Sequence, residues 1–131
     1  MDDSTTIGPF IIQVKGRPVT KPEADYESRT QASVGSDPAI FTWIDGRLEC
    51  GEWFLGRFHI EDRSLIPKAV YWFKKEDTNP NAVQHTMVHD DEGSYTLRMS
   101  GAPLNEHRGK VHAALIPPND EEYDQVKIIM Q

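Results

Sequence analysis

Cysteine is nearly absent. Cys50 stands alone, so the chain closes no internal disulfide and a reducing compartment is the expected setting. Basic charge is short as well: 14 Lys and Arg face 21 Asp and Glu, for a net charge of −7. That balance repels a phosphate backbone and removes the counterion release behind most nucleic-acid binding, which excludes nucleic acid as a partner class. Long apolar runs are missing too. The longest, 69–73, falls far short of the roughly 20 residues of a membrane-spanning helix, so no membrane partner is expected. The acidic opening Met1-Asp2-Asp3-Ser4 lacks the basic start and apolar block of a secretory leader and, with the lone cysteine, points to the cytoplasm.

Signatures of catalysis are equally scarce. There is no Gly-x-Ser-x-Gly elbow, and the nine glycines are dispersed singly instead of forming a phosphate-cradling loop. Nothing calls for a cofactor. His85 and His89 have the spacing that binds zinc on a helix, but their segment reads as a strand, where residues four apart lie about 13 Å from one another. His59-Ile60-Glu61-Asp62-Arg63 resembles a piece of an acid/base cluster; it reads more simply as a strand end entering a charged turn, with Arg63 offsetting the acids. Asp90-Asp91-Glu92 reads as a solvated turn, and Cys50 as a small half-buried hydrophobe.

Helical periodicity is also lacking, because Pro or Gly interrupts every candidate stretch. The period that is present is two. In Tyr95-Thr96-Leu97-Arg98-Met99-Ser100 the odd positions are apolar, as in a strand with one buried face. Similar short runs at 10–14, 40–44, 53–60, 69–73, 83–88, 111–116 and 126–130 predict a single all-β domain spanning 1–131, with 1–7 as a flexible tail. Three turns pair Asp or Asn with Pro: Ser36-Asp37-Pro38, Thr78-Asn79-Pro80-Asn81 and Pro117-Pro118-Asn119-Asp120. Pro38, Pro80 and Pro118 lie 42 and 38 residues apart. Three copies of a roughly 40-residue unit predict a β-trefoil. The alternative is a small ligand-binding antiparallel β-barrel. Its enclosed cavity would be walled by Trp53, Arg57, His59, Tyr71 and Trp72, and would serve an isomerase, a cyclase or a carrier. In the triplet Tyr71-Trp72-Phe73, either Trp72 or its two neighbours would reach the surface, where an aromatic stacks on a sugar or anchors a protein.

The opening Gly8-Pro9-Phe10-Ile11-Ile12, the three turn-and-strand units and the closing Val126-Lys127-Ile128 together resemble the cytosolic fungal β-trefoil proteins, which include mycocypin-like protease inhibitors and trefoil lectins. The resemblance implies a non-catalytic binding protein, as a loop-based protease inhibitor or as a carbohydrate-binding lectin. The Gln-x-Trp triplet of ricin-type lectins is not intact: the corresponding places read Phe41-Thr42-Trp43, Gln84-His85-Thr86 and Gln125-Val126-Lys127. Three loops carry partner-binding chemistry. The first, 15–22, is proline-stiffened and basic, with Lys15, Gly16, Arg17, Pro18 and Lys21. The second, 74–82, presents Asn79 and Asn81, which suit an asparagine-specific protease. The third, 103–108, presents Asn105 and Arg108. A stiff loop loses little entropy when a partner immobilises it.

Overall fold

The computed structural model describes residues 6–23, 25, 29–58, 61, 67–91, 94–114 and 126–131, with backbone alone at 90, 91 and 94. Among these residues thirteen strands follow in order: β1 (Thr6–Val14), β2 (Arg17–Pro18), β3 (Thr30–Gln31), β4 (Phe41–Ile44), β5 (Arg47–Cys50), β6 (Trp53–Gly56), β7 (Lys68–Ala69), β8 (Tyr71–Lys74), β9 (Thr86–Asp91), β10 (Ser94–Met99), β11 (Leu104–His107), β12 (Lys110–Ala113) and β13 (Val126–Met130). The only helical elements among the described residues are two 3-10 turns, Lys75–Asp77 and Pro80–Ala82. The chain is all-β, as the period-two pattern requires.

The largest sheet runs β13-β1-β4-β5-β6-β8-β3, with β2 on β1; β9 pairs with β10, and β11, β12 and β7 form a third sheet. β5 also packs against β9 and β10 against β13, so the curled sheet wraps onto the β9–β10 hairpin. The expected alternation is met in β10, where Leu97 and Met99 are buried while Thr96 and Arg98 are exposed. The strand expected over 53–60 stops at Gly56, and the one expected over 83–88 begins at Thr86 because a 3-10 turn occupies Pro80–Ala82. β1 begins at Thr6, and Thr6 and Ile7 pair with Ile44 and Trp43, so the last two residues of the expected tail are sheet; 1–5 lie outside the described residues. Gly8 lies where β1 shifts register against β4. Its φ is +142°, and a Cβ there would come 2.9 Å from the Phe41 carbonyl oxygen, so only glycine lets the strands approach.

Tight hairpins connect the strands. Lys15-Gly16 and Asp45-Gly46 have positive φ at both residues (53° and 81°, 50° and 85°), the turn geometry whose twist matches paired strands, and Ser100-Gly101 and Arg108-Gly109 repeat it.

The core is aromatic at its centre and aliphatic around it. Phe41 stacks on Trp72 at 5.6 Å and on Phe10 at 6.2 Å, and Trp53 meets Trp72 edge-on at 6.4 Å. Ile12, Val14, Val19, Leu48, Leu55, Val70, Met99 and Leu104 close around them with no exposed surface. Three backbone hydrogen bonds form a cycle: Ala32 N–H donates to Val70 O (2.8 Å), Val70 N–H to Val111 O (3.1 Å) and Val111 N–H to Ala32 O (2.9 Å). Around this ring β3 pairs with β8, β7 with β12, and Ser33 bridges Lys110. Three segments far apart in sequence thus contribute one equivalent residue each.

Candidate functional site

Among the described residues the most elaborated exposed segment is 74–82, which leaves β8 and returns before β9. Its backbone is extended at Lys74 (φ −69°, ψ 127°), turns once through Lys75–Asp77, and is extended again at Thr78 (φ −128°, ψ 124°) and Asn79 (φ −68°, ψ 123°). Pro80 then opens the second 3-10 turn at the position where its missing N–H costs nothing. Asn79 caps that turn: its Oδ1 accepts from Asn81 N–H at 3.0 Å, and its carbonyl accepts from Ala82 N–H at 2.8 Å.

The loop is tied at both ends. Arg47, from the β4–β5 turn, donates through Nε to Pro80 O (3.0 Å) and through a terminal nitrogen to Asn81 Oδ1 (3.4 Å). At the other end Lys75 pairs with Glu49 while its N–H donates to Glu52 O at 2.9 Å. Asn79, Pro80 and Asn81 nonetheless remain exposed. Open clefts flank the loop. One of about 240 Å³ is lined by Glu52, Trp53, Lys74 and Glu76, and one of about 510 Å³ by Arg47, Asn81, Val83, Gln84, His85 and Ser100.

The segment 15–22 is not an open loop. Lys15-Gly16 makes the tight turn, Arg17–Pro18 pairs with Val14 and Gln13, and Val19 is fully buried, bridging Val34. Lys15, Gly16 and Arg17 stay exposed at the hairpin tip, and Lys21 pairs with Asp37 at 3.6 Å. The third segment, 103–108, is largely strand: Pro103 and Leu104 are buried, Asn105 is half-buried in β11, and Arg108 is exposed in the turn. The fold brings the first and third together, with Lys15 Nζ donating to Glu106 O at 3.4 Å.

Among the described residues, the side chains expected to wall an enclosed cavity take separate positions. Trp72 is 1% exposed and sandwiched in the core, so it fills the centre that the barrel alternative leaves hollow. Trp53 lines the cleft beside the loop, under Lys74 Nζ at 5.5 Å. Tyr71 packs edge-on against Phe73, and Phe73 is buried as well, so the aromatic triplet presents no fully exposed ring. Arg57 is buried in an ion pair: it donates to both carboxylate oxygens of Glu61 (2.7 and 3.2 Å) and to Met99 O (3.0 Å). Glu61 is therefore balanced by Arg57, four residues before it. His59 and Arg63 lie outside the described residues, as does the turn at 117–120.

Two residues with evident roles escaped sequence reasoning. Arg47 gave no local signal, since its partners lie 33 and 34 residues away. Arg29 has φ +68° and stacks its guanidinium on Phe58 at 4.4 Å, a contact that depends on tertiary packing. Cys50 is half-buried, and desolvation pushes its thiol above the ordinary value of 9.0, against the opposing pull of a hydrogen bond with the Ile40 backbone and of Lys21 and Lys75. Among the described residues no three His, Cys, Asp or Glu side chains gather closely enough to hold a metal.

Neither curated proteins nor solved structures gave a match to the chain. Residues 48–129, well over half of it, match the family model described as peptidase inhibitor I66. The matched stretch contains the whole of 74–82 with Glu49, Glu52, Trp53, Gln84 and His85 around it, and the chain belongs to the peptidase inhibitor I66 family.

Proposed function

We propose that this protein is a loop-based inhibitor of a protease that accepts asparagine, built on a β-trefoil, with 74–82 as the reactive loop and Asn79 as the residue offered to the specificity pocket. The observation that carries the reading is extended backbone at Thr78 and Asn79, exposure at Asn79, and tethering of the segment from both sides. A protease binds its substrate as an extended segment, and a segment already held in that shape loses little entropy on docking. The bond after Asn79 leads into a proline ring, which has no N–H and crowds the place where a leaving amine would form. The segment is therefore suited to binding without being cut. The clefts on either side give a partner hollows to fill.

The trefoil reading is supported by the cyclic hydrogen bonds of Ala32, Val70 and Val111. Their sequence separations, 38 and 41, match the repeat seen in the prolines. Inhibition assays against a trypsin-like, a papain-like and a legumain-like protease test the function. Inhibition of the asparagine-specific enzyme, weakened by Asn79→Ala and unaffected by Lys127→Ala on the remote strand β13, is the expected result; inhibition of none of the three overturns it.

A further inference from the structure

The two clefts beside 74–82 differ in sign. The one against its first half is lined by two carboxylates, Glu52 and Glu76, and one ammonium, Lys74, together with Trp53. The one against its second half, of about 510 Å³, is lined by Arg47, Asn81, Val83, Gln84, His85 and Ser100, and among the described residues by no carboxylate. On a chain of net charge −7 it is a positive hollow.

We infer that this second cleft receives a carboxylate side chain from the rim of the inhibited protease, on the leaving-group side of Asn79; the inference rests on the reactive-loop reading and names the partner chemistry that fits it. The side is set by the chain. Asn81, which walls the cleft, lies two residues past Asn79, so whatever part of the protease holds the leaving-group half of a substrate comes to rest against it. The anion is selected by an account of donors. A guanidinium has five N–H groups. Arg47 spends one from Nε on Pro80 O (3.0 Å) and one from a terminal nitrogen on Asn81 Oδ1 (3.4 Å), and no described residue takes the others. Those two bonds hold the guanidinium against the loop in advance, so a carboxylate that pairs with it loses little side-chain freedom. With its Oδ1 turned to Arg47, Asn81 has its amide N–H pair left to donate. The nearby acids do not compete from within the cleft. Asp45 is exposed in the turn before Arg47 and lines neither cleft, and Glu61 already accepts from Arg57 at 2.7 and 3.2 Å and from Gln84 at 3.2 Å.

The test places a charge in the cleft without touching the loop or its tethers. Ser100 is exposed in a tight turn at φ 54°, a conformation that asparagine and aspartate both accept. Ser100→Asp and Ser100→Asn differ by charge alone. Against the legumain-like protease, Ser100→Asp should inhibit at least about tenfold more weakly than Ser100→Asn, because like charges brought together across an interface repel. The gap should lie mainly in the association rate and narrow as salt rises. The amides of Asn81 and Ala82 should exchange alike in both variants. Wild-type inhibition with equal potency in the two variants, or a stronger Ser100→Asp, would overturn this inference alone; so would a loss matched by faster exchange at Asn81 and Ala82, which would trace it to a loosened loop. No inhibition by the wild-type chain would overturn the reactive-loop reading itself and this inference with it.

Discussion

Arg57 shows how much a single position is constrained by what the chain brings to it from a distance. Its side chain is 7% and that of Glu61 15% exposed, so neither charge is solvated enough to stand alone. Arg57→Met leaves a shielded carboxylate unpaired and should cost about 3 kcal/mol of stability by urea unfolding. Adding Glu61→Gln removes the orphaned charge while Gln84 keeps a partner, so the double variant should regain at least about 1 kcal/mol; an equal or larger loss in the double would contradict the pairing. Cys50 makes a second prediction at this scale. Because burial raises the folded thiol above its unfolded value, the folded state holds the proton more tightly. The resulting stability is fully present below the unfolded value and is lost as pH rises through the folded one. Stability should therefore decline with pH above about 9, and Cys50→Ala should flatten that decline. At pH 7 the native thiol should alkylate with iodoacetamide far more slowly than the thiol of the urea-unfolded chain. The sequence reading of Cys50 as a half-buried hydrophobe stands, because one apolar neighbourhood decides it. The reading of Glu61 against Arg63 fails to name Arg57, because the pair depends on how the chain bends after β6.

At the scale of elements, strands were legible where one face is buried and opaque where tertiary pairing overrides local chemistry. β10 follows from alternation alone, since Leu97 and Met99 face the core and Arg98 faces water. The segment 15–22 reads as a loop because of its prolines and charges, yet Pro18 fits an edge strand, where its missing N–H is harmless, and Val19 donates its own N–H to Ile12 O at 2.8 Å. The contact between Lys15 and Glu106 joins residues 91 apart, beyond the reach of any local pattern. The loop 74–82 was recognisable from Asn79-Pro80-Asn81, but its tethers were not. Those tethers carry a prediction. Arg47→Ala removes two hydrogen bonds to the loop without touching Asn79, so it should speed amide exchange at Asn81 and Ala82 and raise the dissociation rate of a bound protease. Asn79→Ala removes both the cap and the offered side chain; it should cost about 0.5–1 kcal/mol of stability and at least about tenfold in inhibition. Unchanged exchange at Asn81 and Ala82 in Arg47→Ala would show that the loop is held by other means.

At the scale of the whole molecule, Phe41, Phe10 and Trp72 fill the centre, and Ala32, Val70 and Val111 close a ring between segments far apart in sequence. The sequence spaces three proline turns roughly 40 residues apart, the third of them outside the described residues; the ring left no such mark, because its members are an alanine and two valines without distinctive chemistry. Those three amides should exchange with solvent only through global unfolding, at the slowest rates in the protein; fast exchange at any one of them would break the ring's equivalence. The exposed loop stands on this frame, and its tethering at both ends is the reason it is proposed to block a protease and not merely to be cleaved by one. The most direct measurement is the inhibition constant of the intact protein against a legumain-like protease, compared with that of Asn79→Ala. The account predicts tight, reversible inhibition that the substitution weakens by at least about tenfold while the loop stays uncut on prolonged incubation. Equal inhibition by both proteins, or cleavage after Asn79 with loss of inhibition, would contradict it.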